Sequence, residues 1–266
     1  MSFNCPFFWI DAFSARVFGG NPAGVCPLRT WPEDALLQKI AWQNGLAETA
    51  FFVPQSHGDY HLRWFTPAVE IDLCGHATLA AAHVLWHELG IAGEHVTFHS
   101  QSGPLTVNRL ASDRLELNFP SRPPTAVDPT EVTSTLAALG IARAAEVGRA
   151  RDLFVVLDDV EAVTAVTPDW GALAASGCAS VIVTAPGNDC DFVSRFFAPG
   201  FGVPEDPVTG SAHCTLIPYW ARRLQRASLH ARQLSDRGGE LWCQHREDRV
   251  GIAGDATTYL RGEISI

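Results

Sequence analysis

The stretch RWFTPAVEIDLCGHATLAAAHVL (residues 63–85) has a second version in the same chain, RFFAPGFGVPEDPVTGSAHCTLI (195–217). Arg63-Trp-Phe-Thr-Pro67 reads against Arg195-Phe-Phe-Ala-Pro199 at an offset of 132. Glu70, Gly75 and Ala77 then read against Glu205, Gly210 and Ala212 at an offset of 135. The same 135 pairs His95, Ser100 and Gly103 with His230, Ser235 and Gly238, and Asp113-Arg114 with Asp248-Arg249. One three-residue insertion between Pro199 and Glu205 accounts for the change of offset. Chance supplies single matches, whereas an ordered series with one gap is the mark of an internal repeat. The repeat predicts two similar domains arisen by duplication. Their boundary falls in PSRPPTAVDP (120–129), which has the proline density of a linker. The expected division is 1–120, with 256–266 as a candidate completion of that domain, and 121–266.

Each half shows the same coarse order. Short β-rich runs come first, at Ala50–Val53 and His61–Phe65, then at Leu153–Leu157, Val181–Thr184 and Phe192–Phe197. A Pro-containing loop and a helix opening at Gly75 or Gly210 follow. Further strands with Gly turns close each half, at Val96–His99, Leu105–Val107 and Leu115–Phe119, then at Leu241–Gln244 and Val250–Ile252. The helix from Gly75 is apolar on nearly every face through Trp86, which predicts an enclosed helix, ending at the C′-type Gly90. Its partner is expected from Gly210 to about Leu224, with Pro218 marking a bend. Two halves, each a curved sheet wrapped on a buried helix, make an α+β architecture.

Composition narrows the partners. Of 266 residues 47% are apolar and 18% charged, enough to bury a core of one large or two ordinary domains. The net charge of −10 argues against nucleic acid or an anionic membrane as partner. Seven scattered cysteines without paired spacing argue against a disulfide framework or structural zinc and fit a reducing, cytoplasmic setting. The opening MSFNCPFFWIDAF lacks the basic region of a signal peptide, and the uncharged run Trp170–Asn188 is broken by glycines and a proline, unlike a membrane span.

The chemistry is expected at the helix starts. Free N–H groups of a first turn and the helix dipole favour an anion, so a pair of matching starts predicts a shared cleft for a small carboxylate. The residues that break the repeat are as informative as those that keep it. His76 stands where the second half has Ser211, and Asp206 where the first has Ile71. Glu48, in Asn44-Gly-Leu-Ala-Glu-Thr-Ala-Phe-Phe-Val53, has no acidic counterpart near position 180. A carboxylate between Ala47 and an apolar strand is expected to be partly buried, with its pKa raised toward the range useful for proton transfer. Taken singly, each fits a structural role: Glu48 a solvated turn residue, His76 a capping or core histidine, Asp206 a turn or helix-cap carboxylate. Their placement around matching helix starts points to chemistry.

The segments DAFSARVFGGNPAGVCPL (11–28), QNGLAETAFFVP (43–54), 63–85, EDPVTGSA (205–212) and RQLSDRGGEL (232–241) resemble the PhzF-like family of phenazine biosynthesis, itself related to diaminopimelate epimerase and proline racemase. The resemblance spans nearly the whole chain. It implies two pseudo-symmetric epimerase-like domains, each a curved, mostly antiparallel, barrel-like sheet around a central buried helix, often as a homodimer. It also implies cofactor-independent isomerisation of a small carboxylate. Glu48 matches the family's proton-moving glutamate, and His76 and Asp206 match its assisting residues. Asn21, Gly75, Thr209, Gly210 and Ser211 are the expected substrate-binding residues.

Two other readings stay open. The related racemases place one cysteine at the start of each central helix. Here Cys74 occupies the first place and Thr209, a poor base, the second. A thiol-assisted racemase or epimerase of an amino or hydroxy acid would therefore need Cys74 to work against Glu48 or Asp206. A non-catalytic ligand-binding or interaction protein on the same fold would have no use for Glu48, His76 and Asp206 together. A metal reading of Cys74, His76, His213 and Cys214 is disfavoured, since His213 is equivalent to Thr78, one turn into an enclosed helix. The expectation is no metal and no cofactor.

Overall fold

The computed structural model describes residues 4–266; Met1–Phe3, at the head of the run read above for a targeting signal, lie outside the described residues. The chain forms two compact units. One comprises the chain up to Phe119 together with Ile252–Ile266, and the other is Pro120–Gly251. Among the described residues no helix is long and apolar enough to cross a membrane.

The first unit contains β1 (Asn4–Ala12), β2 (Asn21–Pro27), α1 (Asp34–Asn44), β3 (Glu48–Pro54), β4 (Tyr60–Phe65), β5 (Glu70–Ile71), α2 (Gly75–His83), β6 (His95–Ser100), β7 (Gly103–Arg109) and β8 (Leu115–Pro120). The C-terminal strand Ala256–Ser265 pairs antiparallel with β1 along its length. From β1 the ladder runs antiparallel to β2, parallel to β3, antiparallel to β4, parallel to β6 and antiparallel to β7 and β8. Every residue of α2 is buried. Its sequence explains this: Ala77 and Ala80–Ala82 let surrounding strands approach the helix closely, and no face carries a charged residue other than histidine. The helix does not run as a plain α-helix to Gly90. After His83 it continues as one π turn, Val84–Glu88, in which the Leu89 amide reaches the Val84 carbonyl at 2.9 Å. Gly90 follows with a left-handed φ of 66°.

The second unit contains β9 (Thr125–Ala126), α3 (Thr133–Ala138), β10 (Glu146–Arg149), β11 (Leu153–Val156), α4 (Val160–Thr164), α5 (Trp170–Ala175), β12 (Val181–Pro186), β13 (Phe192–Ala198), β14 (Val203–Glu205), α6 (Gly210–Leu224), β15 (Ser228–Gln233), β16 (Gly239–Arg246) and β17 (Arg249–Gly254). From β10 the senses are antiparallel to β11, parallel to β12, antiparallel to β13, parallel to β15 and antiparallel to β16. That order repeats the first unit strand for strand. α4 and α5 begin at Asp159 and Asp169, whose carboxylates accept from the amides of Ala162 (2.8 Å) and Ala172 (3.0 Å). Below them lies a core of Leu153, Val155, Val181, Val183 and Phe197.

The same ion pair marks both units. Arg63 donates through Nε and Nη2 to Glu70, both at 2.7 Å, with its guanidinium over the Phe65 ring. Arg195 donates in the same way to Glu205, at 2.7 and 2.9 Å, over Phe197. Phe65 lies opposite Glu70, and Phe197 opposite Glu205. The three-residue insertion inferred from the sequence is therefore absorbed in the turn between the paired strands.

Pro218 leaves α6 unbroken. Proline has no N–H to offer the Cys214 carbonyl one turn back, and the Arg122 amide takes that place at 2.9 Å. The helix continues to Leu224 and ends at Gln225 in a left-handed conformation, φ 53°.

Candidate active site

Three elements of the first unit bring Asn21, Glu48 and His76 together. Helix α1 ends at Gly45, whose left-handed φ of 63° reverses the chain, so that Glu48 becomes the first residue of β3. The parallel neighbour β2 places Ala23 beside Glu48, and Asn21 opens that strand. Cys74 is extended (φ −142°, ψ 116°) and Gly75 begins α2, putting His76 in the first turn. The Thr78 hydroxyl donates to the Cys74 carbonyl at 2.5 Å and fixes the corner.

His76 is 5% exposed. Its Nδ1 lies 3.2 Å from Asn21 Nδ2 and 3.5 Å from Cys74 Sγ. The amide and the thiol are donors, so Nδ1 accepts and the ring hydrogen sits on Nε2, an assignment made from this network. Nε2 lies 3.0 Å from Glu48 Oε2, whose side chain is 16% exposed. The contact is close but not an aligned hydrogen bond, and neither atom has another partner among the described residues. Burial acts to lower the His76 pKa. The charges of Cys74 and Glu48 and their hydrogen bonds act to raise it, and the net direction is well upward. Burial, with the charge of Glu48, pushes the Cys74 thiol up, so it stays protonated near neutral pH. Cys74 and Glu48 together keep His76 basic. A carboxylate beside an imidazole, both mostly out of water, can accept a proton and return it.

The other expected residues belong to the second unit. The Thr209 hydroxyl donates to Asp206 Oδ2 at 2.5 Å, and the Asp206 amide donates to the Phe196 carbonyl at 3.0 Å. Thr209 is buried and precedes Gly210, the first residue of α6; Ser211, next in line, is half-buried. Sequence reasoning missed Gln233, the residue that holds this corner. Gln233 is 1% exposed. Its Oε1 accepts from the Thr209 amide at 2.9 Å, and its Nε2 donates to the Asp206 carbonyl at 2.7 Å and to Thr209 Oγ1 at 3.2 Å. The available signal was its place: β15 alternates inward at Leu229, Ala231 and Gln233, and a polar side chain at an inward position needs buried partners.

His213 and Cys214 do not join His76 and Cys74. His213 Nδ1 donates to the Thr209 carbonyl at 2.8 Å, the task Thr78 performs for Cys74, and burial pushes its pKa down to about 4. Burial pushes the Cys214 thiol up to about 12. Among the described residues Glu48, Cys74 and His76 bring potential ligand atoms within 4.8 Å of one another.

A buried carboxylate also lies close to position 180. Thr49 lies opposite Phe65, and Val181 opposite Phe197, so Ser180 stands where Glu48 stands in the first unit. Its hydroxyl donates at 2.5 Å to Asp152, a residue 2% exposed at the start of the neighbouring strand. The sequence hid this acid because it lies 28 residues away from its partner.

A mixed α/β structure with a large curved sheet and few helices has the epimerase-like fold. The chain matches the family model described as "Phenazine biosynthesis-like protein" over residues 10–262 and belongs to that family. It is 52% identical to an "uncharacterized isomerase" of Pseudomonas aeruginosa, with 98% of each chain covered. It superposes on a crystal structure of a PhzF-family phenazine biosynthesis protein from Enterococcus faecalis with a TM-score of 0.95 and 47% identity, over 99% of this chain and 100% of that one. A hydroxyproline epimerase from Agrobacterium vitis shares the fold alone, with a TM-score of 0.61 at 12% identity over 99% and 93% of the chains. The chain is an enzyme of the isomerase class.

Proposed function

We propose that the protein is a cofactor-independent isomerase that moves a proton within a small carboxylate substrate. The observation that carries this reading is the Glu48–His76 pair, 3.0 Å apart and mostly buried at the start of α2. Glu48 takes a proton from an acidic C–H and returns it to another carbon of the same molecule. His76 holds a hydrogen on Nε2 that stabilises the carboxylate form of Glu48 and relays charge as it changes. The first-turn amides of α2, beginning at Gly75, are assigned to the substrate's anionic group. Asn21, beside His76, is assigned to orienting the substrate by a hydrogen bond. Fixed donors of this kind stabilise the charge that develops as the C–H bond breaks.

The thiol-racemase reading is weaker. Burial and Glu48 hold Cys74 as a thiol, and Thr209, at the matching place, has its hydroxyl turned to Asp206. The repeated strand order and the twin Arg–Glu pairs support an origin by duplication into two epimerase-like domains. Seven free cysteines suit the reducing cytoplasm, and a homodimer is the assembly assigned to it. The test of the function is a screen of small carboxylic acids in D₂O without added cofactor, followed by ¹H NMR. Deuterium should enter at a carbon that also gains or loses a double bond. Deuterium confined to one stereocentre would move the assignment to racemase. A screen that gives neither a shifted double bond nor exchange with any unsaturated, amino or hydroxy acid would remove it.

A further inference from the structure

The C-terminal strand Ala256–Ser265, β18, packs along β1 and on no other strand to a comparable extent. Residues 259–263 are exposed in succession. The strand is ten residues long and contains neither proline nor lysine, the usual guards of a sheet edge. Arg261 and Glu263 flank Gly262, and Leu260 and Ile264 flank those in turn. An antiparallel copy of this strand, with its two-fold axis at Gly262, sets Arg261 opposite Glu263 twice and Leu260 opposite Ile264 twice. We propose that β18 is a subunit interface, pairing with β18 of a second copy of this chain and extending the sheet across a two-fold axis at Gly262.

Charge selects both the occupant and the register. An axis at Arg261 or at Glu263 would set like charges face to face, which disfavours a cross-strand pair. With the axis at Gly262 both charges meet their opposites. A charge placed to guard an edge repels an identical edge, whereas this run attracts one. Arg261 is held in place: its Nε and Nη2 donate at 2.5 and 2.8 Å to Glu88, whose own side chain is 6% exposed. Those bonds leave Nη1 for a further acceptor, and Glu263 makes no ion pair among the described residues. Nothing within the chain requires glycine at 262. Its φ lies outside the left-handed region, and an added Cβ would meet only Leu260 Cδ2, at an ordinary 3.6 Å. Glycine weakens a strand and marks a close approach of another backbone; on the axis, each Gly262 faces its own copy. Beside the strand, Tyr259 lies between Trp9 and Phe18, with ring centroids 5.5 and 5.6 Å away, and Phe18 is 71% exposed. This aromatic ridge supplies apolar surface at both ends of the pairing. Such an interface is isologous and closes at two subunits. It is independent of the isomerase reading.

The test is sedimentation velocity of the full-length chain over a dilution series, with amide hydrogen exchange on the same samples. The parent should be a dimer that dissociates on dilution, and amides within 259–265 should exchange faster in the monomer. Glu263→Arg sets arginine against Arg261 at both pairs, and Arg261→Glu sets glutamate against Glu263. Each alone should weaken dimerisation by at least ~10-fold, with the far-UV CD spectrum unchanged. An equimolar mixture of the two variants restores opposite charges at both pairs and should dimerise as the parent does. If Arg261→Glu, which loses its bonds to Glu88, does not fold, Glu263→Arg and the exchange pattern of the parent decide. A parent that stays monomeric, a dissociation constant that Glu263→Arg leaves unmoved, or a dimer in which amides 259–265 are unprotected overturns the proposal. So does a mixture of folded variants that associates no better than either alone.

Discussion

Glu48→Gln separates proton transfer from everything else Glu48 does. Glutamine has the same shape, and its Oε1 can still lie 3.0 Å from His76 Nε2. What it lacks is the capacity to take a proton. Positioned acid–base groups contribute ~10²–10⁴-fold, so exchange should fall by at least ~10²-fold, equivalent to about 2.7 kcal/mol of barrier. The folding cost is smaller. A charge-assisted contact worth ~1.5–3 kcal/mol becomes a neutral one worth ~0.5–1.5, and the poor alignment of this pair puts the loss at about 1 kcal/mol. That corresponds to a Tm decrease of about 2–4 °C. The sign of the pH dependence follows from His76. Its raised pKa contributes stability that is fully present below the ordinary value of 6.5 and is lost as pH rises through the raised value. With the Glu48 charge gone, part of that upward push is lost and the contribution of Cys74 remains. The stability gap between parent and variant is therefore widest below about pH 6.5 and closes above the raised pKa. Deuterium exchange by NMR, the imidazole titration and urea unfolding measure the three quantities. Exchange within about tenfold of the parent would take Glu48 out of the mechanism, and an imidazole titration unmoved by the change would break its link to His76.

Cys74→Ala should retain activity far above Glu48→Gln, because no opposing thiol exists at Thr209; equal inactivity of the two variants would favour the thiol racemase. The parent should lose stability as pH falls from 6.5 to about 4, where His213 resists protonation in the folded state. His213→Asn should flatten that slope by roughly 3 kcal/mol over the interval, leaving the part due to His83, whose pKa burial likewise lowers to about 4; an unchanged slope in urea midpoints would count against it. Arg195→Met should cost about 2–4 kcal/mol, below the full penalty for a buried pair because both partners keep some solvent contact. It should cost more than Lys at the same position, which keeps the charge but not the two-pronged bond.

The sequence made the frame legible because the frame repeats. Arg63, Glu70, Arg195 and Glu205 are named by the offset alone, and their paired geometry follows from it. Most strands appeared as apolar runs between turns. β1 and the C-terminal strand did not, because they find each other across 250 residues of chain and β1 mixes cysteine, proline and aspartate with its apolar residues. Helices α4 and α5 start on aspartate caps, a local signal that the shortness of the two helices, five and six residues, concealed. At the site, Glu48 and His76 stood out by breaking the repeat. Gln233 and Asp152 did not, since each derives its place from a partner 24 or 28 residues away that only the sheet register reveals.

Wherever the frame carries load, the residues keep their task even when their identity changes. Thr78 and His213 both donate to the carbonyl four residues back. Ser102 donates to the Asp72 carbonyl and Ser235, the match of Ser100, to the Pro207 carbonyl, the same task from a serine two places along. At three matching positions the task itself changes: Glu48 against Ser180, His76 against Ser211, Cys74 against Thr209. Ser180 and Thr209 spend their hydroxyls on Asp152 and Asp206, whereas Glu48 and His76 keep Oε2 and Nε2 uncommitted. Removal of a proton from one face and delivery to the other requires matched bases on the two halves. Transfer of one proton from carbon to carbon requires a single base that is free to move it. The asymmetry of the helix starts supports the proposed single-base transfer.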